Sequence, residues 1–152
     1  MNKRPKKLLE CSRYKGIYVL IMKLPERKVI KVGRLGTISF AGGFYAYVGS
    51  ALNGIESRIK RHLSSDKKPF WHIDYLLEQA LIVSTIMGET DKKIECNIAR
   101  NLANTLPSIA GFGSSDCKCK SHLYFERNEQ VLQKKVLAAF DRNGFYPTRS
   151  LP

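Results

Sequence analysis

The stretch GIYVLIMKL at residues 16–24 decides the fold of this chain. It is a continuous apolar run that begins at a glycine and is followed by Pro25, and such a run predicts a strand buried on both faces. Further runs predict strands at residues 28–32, 37–40, 44–48, 80–87 and 123–125. The chain therefore contains enough strands for one small sheet.

Between and after these strands, apolar residues recur at helical spacing and predict helices. The predicted helices cover residues 52–63, 71–79, 92–106 and 129–140. Strands and helices are mixed along the chain, with hairpin-like strands first. The sequence therefore predicts a small α+β fold with a mixed or antiparallel sheet flanked by helices. Residues 25–27 are expected to form the hairpin turn between the strands at 16–24 and 28–32.

The length and composition predict one folded domain. The chain has 152 residues, and 43% of them are hydrophobic, which excludes intrinsic disorder as the default because disorder needs low hydrophobicity. A chain of this length buries one core. We expect a basic arm at residues 1–15, a main domain at residues 16–126, and a C-terminal helix with its tail at residues 127–152.

The sequence also indicates a cytoplasmic protein that does not insert into a membrane. No apolar run approaches the ~20 residues of a membrane span. The basic N-terminus is not followed by the apolar core of a secretory signal. The cysteines Cys11, Cys96, Cys117 and Cys119 are therefore expected to be reduced thiols.

The positive charge of the chain is large and unevenly distributed. The formal net charge is +13, with 11 basic and 2 acidic side chains in residues 1–35 and with 5 basic and 1 acidic side chains in residues 58–72. Such clustering favours a polyanion, nucleic acid above all, over ordinary solubilising charge or affinity for an anionic membrane. The candidates for contacts to a phosphate backbone are Lys60, Arg61, Lys67 and Lys68, and their alternative is a solvated helix face.

A set of polar side chains has the chemistry that phosphodiester hydrolysis requires. They are Tyr18, Tyr47, Arg58, His62, His72 and Glu95. The reaction needs a carboxylate that holds a metal ion, a fixed cation that stabilises charge on phosphorus, and groups that transfer protons. Arg58 and His62 share one helix face. Glu95 shares a face with an apolar stripe, where a carboxylate is costly unless it is paired or bound to a cation.

The segments around these side chains resemble the GIY-YIG nuclease superfamily. The resemblance rests on GIYVL at residues 16–20 and on YAYVGSALNGIESRIKRHL at residues 45–63. Within the superfamily, PFWHIDYLL at residues 69–77, IECNIARNL at residues 94–102 and GFGSSDCKCKSHLYF at residues 111–125 resemble the Uri-type endonuclease group. The similarity extends over most of the chain.

This resemblance implies roles for the polar side chains. Tyr18 contacts or activates the attacking water, and Tyr47 lines the scissile phosphate. Arg58 stabilises that phosphate, His62 helps with proton transfer, and His72 is similar to a further active-site histidine of some members. The two tyrosines are 29 residues apart, which is wider than in the commonest members, so an inserted hairpin and glycine loop separate them.

The resemblance also implies a metal site. Glu95 matches the residue that holds a single divalent cation, Mg²⁺ or Mn²⁺. Many members place an asparagine after this glutamate, and its equivalent here stays open. Asn104 is a candidate by order, whereas Ser115 and Asp116 are candidates by motif.

The sequence contains a second group of metal-ligand residue types. Cys117, Cys119 and His122 lie close together, and Cys96 is a candidate fourth ligand. The spacing is not a paired C-x-x-C, and no second half of a zinc finger follows. The pattern therefore favours structural or incidental thiols over a zinc site.

These observations lead to one main hypothesis and two alternatives. The main hypothesis is a metal-dependent endonuclease that hydrolyses DNA, with specificity supplied by DNA shape or by a protein partner. The first alternative is a non-catalytic module that binds RNA or branched DNA on the same fold. A half-buried Glu95 is of no use to a pure binder, which favours the enzyme. The second alternative, a zinc-stabilised interaction domain, rests only on the Cys/His group.

Overall fold

The computed structural model describes residues 15–51 and 54–150 of the chain. The strands are β1 Gly16–Leu24, β2 Lys28–Lys31, β3 Thr37–Phe40, β4 Gly43–Ala51, β5 Leu81–Glu89, β6 Leu123–Glu126 and β7 Thr148–Ser150. The helices are α1 Ile55–Leu63, α2 His72–Leu77, α3 Glu95–Ala103 and α4 Glu129–Arg142, and a short 3-10 turn covers Gly33–Leu35. Among these described residues, no helix is both long and apolar enough to cross a membrane.

The main sheet has five strands in the order β6-β4-β1-β5-β7. Every strand pair in it is antiparallel, so the predicted α+β fold is confirmed and its sheet is antiparallel. The strand β1 lies in the middle and pairs along its length with β4 on one side and β5 on the other. This central position explains why the sequence of β1 is apolar at almost every residue.

Side chains of β1 alternate between two apolar clusters, one on each face of the sheet. The odd-numbered residues from Ile17 to Ile21 pack with α3 and α4 residues such as Ile98 and Leu132. The even-numbered residues from Tyr18 to Leu24 pack with α1 and α2 residues such as Ile55 and Ile73. Because successive strand residues point to opposite faces, the alternation places Tyr18 on the α1 side of the sheet.

The C-terminal helix α4 is part of this core. The side chain of Asn128 caps its first turn by accepting a hydrogen bond from the Val131 backbone N–H at 3.0 Å. Leu132, Val136 and Phe140 are fully buried against the sheet. The helix therefore covers one face of the sheet together with α3.

Residues 104–122 connect α3 to β6 without a helix or strand of their own, and we call them the 104–122 segment. Backbone hydrogen bonds fold it back on itself. Gly111 N–H donates to the Lys120 carbonyl at 2.7 Å, and His122 N–H donates to the Phe112 carbonyl at 2.8 Å. Because Phe112 is fully buried, the segment is held against the α1 side of the sheet.

Two features of the fold differ from the sequence-based expectations, and two further expectations concern residues that the structure does not describe. The predicted hairpin between 16–24 and 28–32 is wrong, because both edges of β1 are occupied and β2 pairs with β3 in a separate two-stranded sheet. The edge strand β7 was not predicted. The expected basic arm, apart from Lys15, and the predicted helix start at residue 52 fall outside the described residues.

Candidate active site

A polar cleft of about 600 Å³ opens beside the end of β4. Five of the predicted site residues line it, namely Tyr18, Tyr47, Arg58, His72 and Glu95. The other lining side chains include Phe70, Trp71, Lys93, Ser115, Asp116 and His122. Its size is within the range of small-molecule and cofactor sites. The fold therefore brings together residues from β1, β4, α1, α2, α3 and the 104–122 segment.

Tyr18 reaches the cleft by lying across a glycine of the neighbouring strand. The register of β1 and β4 places Tyr18 opposite Gly49. A Cβ atom at Gly49 would lie 2.4 Å from Cζ and Oη of Tyr18, which is far inside van der Waals contact. The position therefore requires glycine, because any side chain there would collide with the phenol of Tyr18.

His62, the sixth predicted residue, lies behind Tyr18 instead of lining the cleft. Tyr18 Oη and His62 Nε2 share a hydrogen bond of 2.7 Å, and the histidine is only 3% exposed. The pKa of His62 falls to about 4 because burial disfavours its charged form, and the charges of Arg58, Arg61 and Lys67 lower it further against the opposing effect of Asp74. The imidazole is therefore neutral at pH 7.

The phenol of Tyr18 is also neutral at this pH. Burial raises the pKa of Tyr18 to about 12, although the charge of Arg58 opposes the rise. Burial raises the pKa of Tyr47 well above its usual value as well. Tyr18 and His62 thus form a neutral hydrogen-bonded pair, which connects the cleft to the buried face of α1.

His72 is oriented by the 104–122 segment. Its Nδ1 accepts a hydrogen bond from the Gly113 backbone N–H at 2.8 Å. Burial lowers the pKa of His72, so the neutral form that accepts this bond is favoured. Because Nδ1 is an acceptor in this neutral ring, the ring proton is on Nε2. His72 therefore offers the cleft an N–H donor.

Arg58 is fixed from two sides. Its Nη1 donates a hydrogen bond to the Ser50 carbonyl at 3.0 Å, at the end of β4. Its guanidinium carbon lies 4.5 Å from the centroid of the Trp71 ring. One guanidinium N–H is thus used to anchor the group, and Arg58 also interacts with the phenol of Tyr18. This is the fixed cation that the sequence predicts.

Arg61 has a structural partner. It makes a forked ion pair with Asp74, at 2.8 Å for Nη1–Oδ1 and 3.0 Å for Nη2–Oδ2. Asp74 Oδ2 also accepts the backbone N–H groups of Phe70 and Trp71. Burial alone would raise the pKa of Asp74, but these hydrogen bonds and the charge of Arg61 hold it below its usual value. The pair fixes the chain that carries Trp71.

The four residues predicted to contact a phosphate backbone are either exposed or bonded within the protein. They are Lys60, Arg61, Lys67 and Lys68. Lys60 is 75% exposed in its side chain and lies 3.9 Å from Glu56, and Lys68 is also exposed. Lys67 donates to the backbone carbonyls of His62 and Ser64, which caps the end of α1. None of the four residues lines the cleft, whereas Lys93 does. The sequence analysis did not predict Lys93 as a cleft residue. It placed Lys93 inside a helix that begins at residue 92, whereas α3 begins at Glu95.

Glu95 is the first residue of α3 and lines the cleft. Its Oε1 atom is buried, and among the described residues it has no hydrogen-bond partner. An unpartnered buried carboxylate oxygen suits a hard cation such as Mg²⁺ or Mn²⁺, which binds through one or two carboxylates, substrate phosphates and water. Ser115 and Asp116 line the same cleft, whereas Asn104 is at the far end of α3. The residues present therefore fit one divalent cation.

The sequence analysis also missed an exposed aromatic residue at the cleft. Phe70 is 76% exposed and lines the opening next to Trp71. An exposed aromatic ring at the edge of a cleft offers a surface on which a bound group can stack. The predicted helix began at residue 71, so Phe70 was not assigned to any element.

The fold and the cleft define a small α+β domain with a polar site. The family model described as "Domain of unknown function DUF123" matches residues 17–145, so the chain belongs to this family. Neither the curated proteins nor the solved structures contain a match to the chain. The expected membership of the GIY-YIG superfamily and its Uri-type group is therefore wrong, since the match is to DUF123 and no comparison indicates that superfamily.

Proposed function

We propose that this protein is a metal-dependent endonuclease that hydrolyses DNA phosphodiester bonds in the cleft. The observation that carries the proposal is the convergence of Glu95, Arg58 and the Tyr18–His62 pair on one opening. The convergence supplies a cation ligand, a fixed positive charge and proton-transfer groups, which together are what the reaction needs.

The reaction forms a bond from water oxygen to phosphorus and breaks the bond from phosphorus to a sugar oxygen. Glu95 would hold a divalent cation, which would act as a Lewis acid on the phosphate and lower the pKa of bound water. Tyr18 Oη accepts the proton of the water as its own proton passes to His62 Nε2, 2.7 Å away. The transfer leaves a positive charge on His62, whose pKa of about 4 makes it a weak base, so the step depends on the acidity that a cation on Glu95 would give the attacking water.

Two further side chains act on the phosphate and the leaving group. Arg58 is held by the Ser50 carbonyl and Trp71, so its free N–H groups stabilise charge on the phosphate oxygens without a large loss of side-chain entropy. His72 carries its proton on Nε2, because Gly113 occupies Nδ1, so the Nε2–H offers a hydrogen bond to the leaving oxygen, which takes its own proton from solvent. Tyr47 lines the phosphate site as a neutral phenol.

Nucleic acid is the proposed substrate because of the chemistry around the cleft. Phe70 offers an exposed ring on which an unpaired base stacks. Lys93 at the cleft and the exposed Lys60 and Lys68 on the α1 side offer contacts to the phosphate backbone. A cytoplasmic location, and a protein partner that supplies specificity, belong to the same proposal.

The test is a cleavage assay with supercoiled, single-stranded and branched DNA, and with RNA, in Mg²⁺, in Mn²⁺ and without a divalent cation. Tyr18→Phe is compared with Tyr45→Phe, since Tyr45 is equally buried, lies on the same sheet and donates its hydroxyl to the Ala41 carbonyl away from the cleft. We expect metal-dependent cleavage by the wild type and by Tyr45→Phe, with a large loss in Tyr18→Phe. Tight binding without cleavage of any substrate would favour the non-catalytic binding module instead.

A further inference from the structure

Three cysteines and one histidine lie together on the side of the cleft where α3 begins. They are Cys96, Cys117, Cys119 and His122, and one ligand atom from each lies within 4.8 Å of the others. The three cysteines are not in disulfides. His122 is buried and the cysteines are half-buried. The group is therefore a compact set of four metal-ligating atoms.

The histidine of this group has the arrangement of a metal ligand. His122 Nδ1 lies 3.1 Å from the Val48 carbonyl, so Nδ1–H donates to that oxygen and the Nε2 lone pair faces the sulfurs. Metal-bound histidines regularly donate their other ring N–H to a carbonyl in this way, which fixes the tautomer and the ring orientation. The backbone N–H of Val48 also donates to the His122 carbonyl at 2.9 Å.

The distances within the group fit a tetrahedral centre. Nε2 of His122 lies 3.5 Å from Cys117 Sγ and 3.9 Å from Cys96 Sγ. Bond lengths to zinc of about 2.3 Å for sulfur and about 2.0 Å for nitrogen place a sulfur and a nitrogen about 3.5 Å apart at a tetrahedral angle. Only small side-chain movements are therefore needed to bring all four atoms to bonding distance.

The chain around the group needs a cross-link of this kind. Three of the four ligands belong to the 104–122 segment, which has no helix or strand of its own. A segment this long inside a compact domain needs fixed points beyond its own backbone hydrogen bonds. The fourth ligand, Cys96, is in the first turn of α3, so the group connects this helix to the segment. All four residues were candidates from the sequence, but their spacing favoured structural or incidental thiols, because Cys96 comes close to the other three only in the fold.

We propose that Cys96, Cys117, Cys119 and His122 bind one structural zinc ion, which ties the start of α3 to the 104–122 segment. A set of three thiolates and one imidazole is typical of structural zinc, and it leaves no open position for a substrate. It is chemically distinct from the carboxylate site at Glu95, since soft sulfur ligands select zinc over Mg²⁺. Glu95 and Asp116 each adjoin a ligand in sequence, so the zinc ion also fixes two residues of the cleft wall.

The test measures metal content directly and does not depend on nuclease activity. The full chain is purified under reducing conditions without a chelator, and zinc and iron are measured by mass spectrometry. We expect about one zinc per chain. Replacement with Co²⁺ should give the visible absorption of a tetrahedral ion and the near-ultraviolet band of thiolate charge transfer.

Two variants make the test specific. Cys117→Ser should lose the zinc and the thiolate charge-transfer band of the cobalt form, whereas Cys11→Ser keeps all four ligands and should retain both. If Cys117→Ser fails to fold, chelation of the wild type gives the same information. Hydrogen exchange should then accelerate in residues 111–122 while β1 stays protected.

Several results would overturn the proposal. Wild-type protein without zinc after reconstitution, or a disulfide among the three cysteines, would exclude the site, and iron in place of zinc would exclude zinc as its metal. Full zinc content in folded Cys117→Ser would exclude this ligand set. Because none of these results involves DNA, the zinc site and the proposed hydrolysis succeed or fail separately.

Discussion

The buried pair of His62 and Tyr18 makes a quantitative prediction about acid stability. Burial lowers the pKa of His62 from 6.5 to about 4, while the unfolded chain keeps the higher value. Between these two pH values the unfolded state binds the proton and the folded state does not. The stability that His62 contributes is therefore full above pH 6.5, and it is lost as the pH falls through about 4.

The size of this loss follows from the two pKa values. A difference between 6.5 and about 4 corresponds to about 3 kcal/mol of unfolding free energy. Because His62 is only 3% exposed, solvent screening reduces this figure little. Carboxylates such as Asp74 titrate in the same range, so the effect of His62 must be obtained as a difference between two proteins.

The measurement is urea unfolding of wild type and His62→Gln at a series of pH values. Glutamine keeps a hydrogen bond to Tyr18 but does not titrate, so its stability curve should be flatter by about 3 kcal/mol over this range. His72→Gln is the matched control and should change the slope less, since His72 is only half-buried. Parallel curves for wild type and His62→Gln, or a His62 that titrates near 6.5 by NMR, would refute the reasoning.

Three further substitutions test the groups around the cleft. Gly49→Ala places a Cβ 2.4 Å from Tyr18 Oη, so it should displace the phenol and lower the unfolding free energy by about 1–3 kcal/mol. Unchanged stability in unfolding assays and unchanged activity in cleavage assays would contradict the close approach. Asp74→Asn leaves Arg61 without its forked partner and should lower the unfolding free energy by about 3 kcal/mol, so a change near zero in urea unfolding would show that the ion pair contributes nothing. Phe70→Ala should weaken binding of single-stranded DNA by about 1–3 kcal/mol with normal folding, and equal affinities in a fluorescence titration would exclude base stacking there.

The strand β1 was well predicted because its sequence reflects burial on both faces. The boundaries of β1 match the prediction because an uninterrupted apolar run ends at Pro25. The strand β7 was missed because Thr148–Ser150 is short and exposed, and pairs with β5 from far along the chain. The turn at residues 25–27 indicated a hairpin, but a local turn signal does not tell which edges of β1 are occupied by other strands.

In the candidate site too, the residue types were predictable from the sequence, whereas the contacts between elements were not. The chemical types of Tyr18, Arg58 and Glu95 were readable in the sequence, and the fold gathers them at one cleft. That His62 lies behind Tyr18, and that Arg61 is used by Asp74, depends on packing between elements. Spacing along the chain contains no information about such contacts, so these features required the structure.

The most direct test of the proposed activity is DNA cleavage by Glu95→Gln in the presence of Mg²⁺. Glu89→Gln is the matched control, because Glu89 is an exposed carboxylate outside the cleft. Glu95→Gln should fold normally, and its cleavage rate should fall about 100-fold or more, because a metal ligand accounts for several kcal/mol of transition-state stabilisation. Glu89→Gln should cleave at the wild-type rate. Cleavage by folded Glu95→Gln at the wild-type rate would contradict the proposal that this cleft hydrolyses DNA with a metal ion held by Glu95.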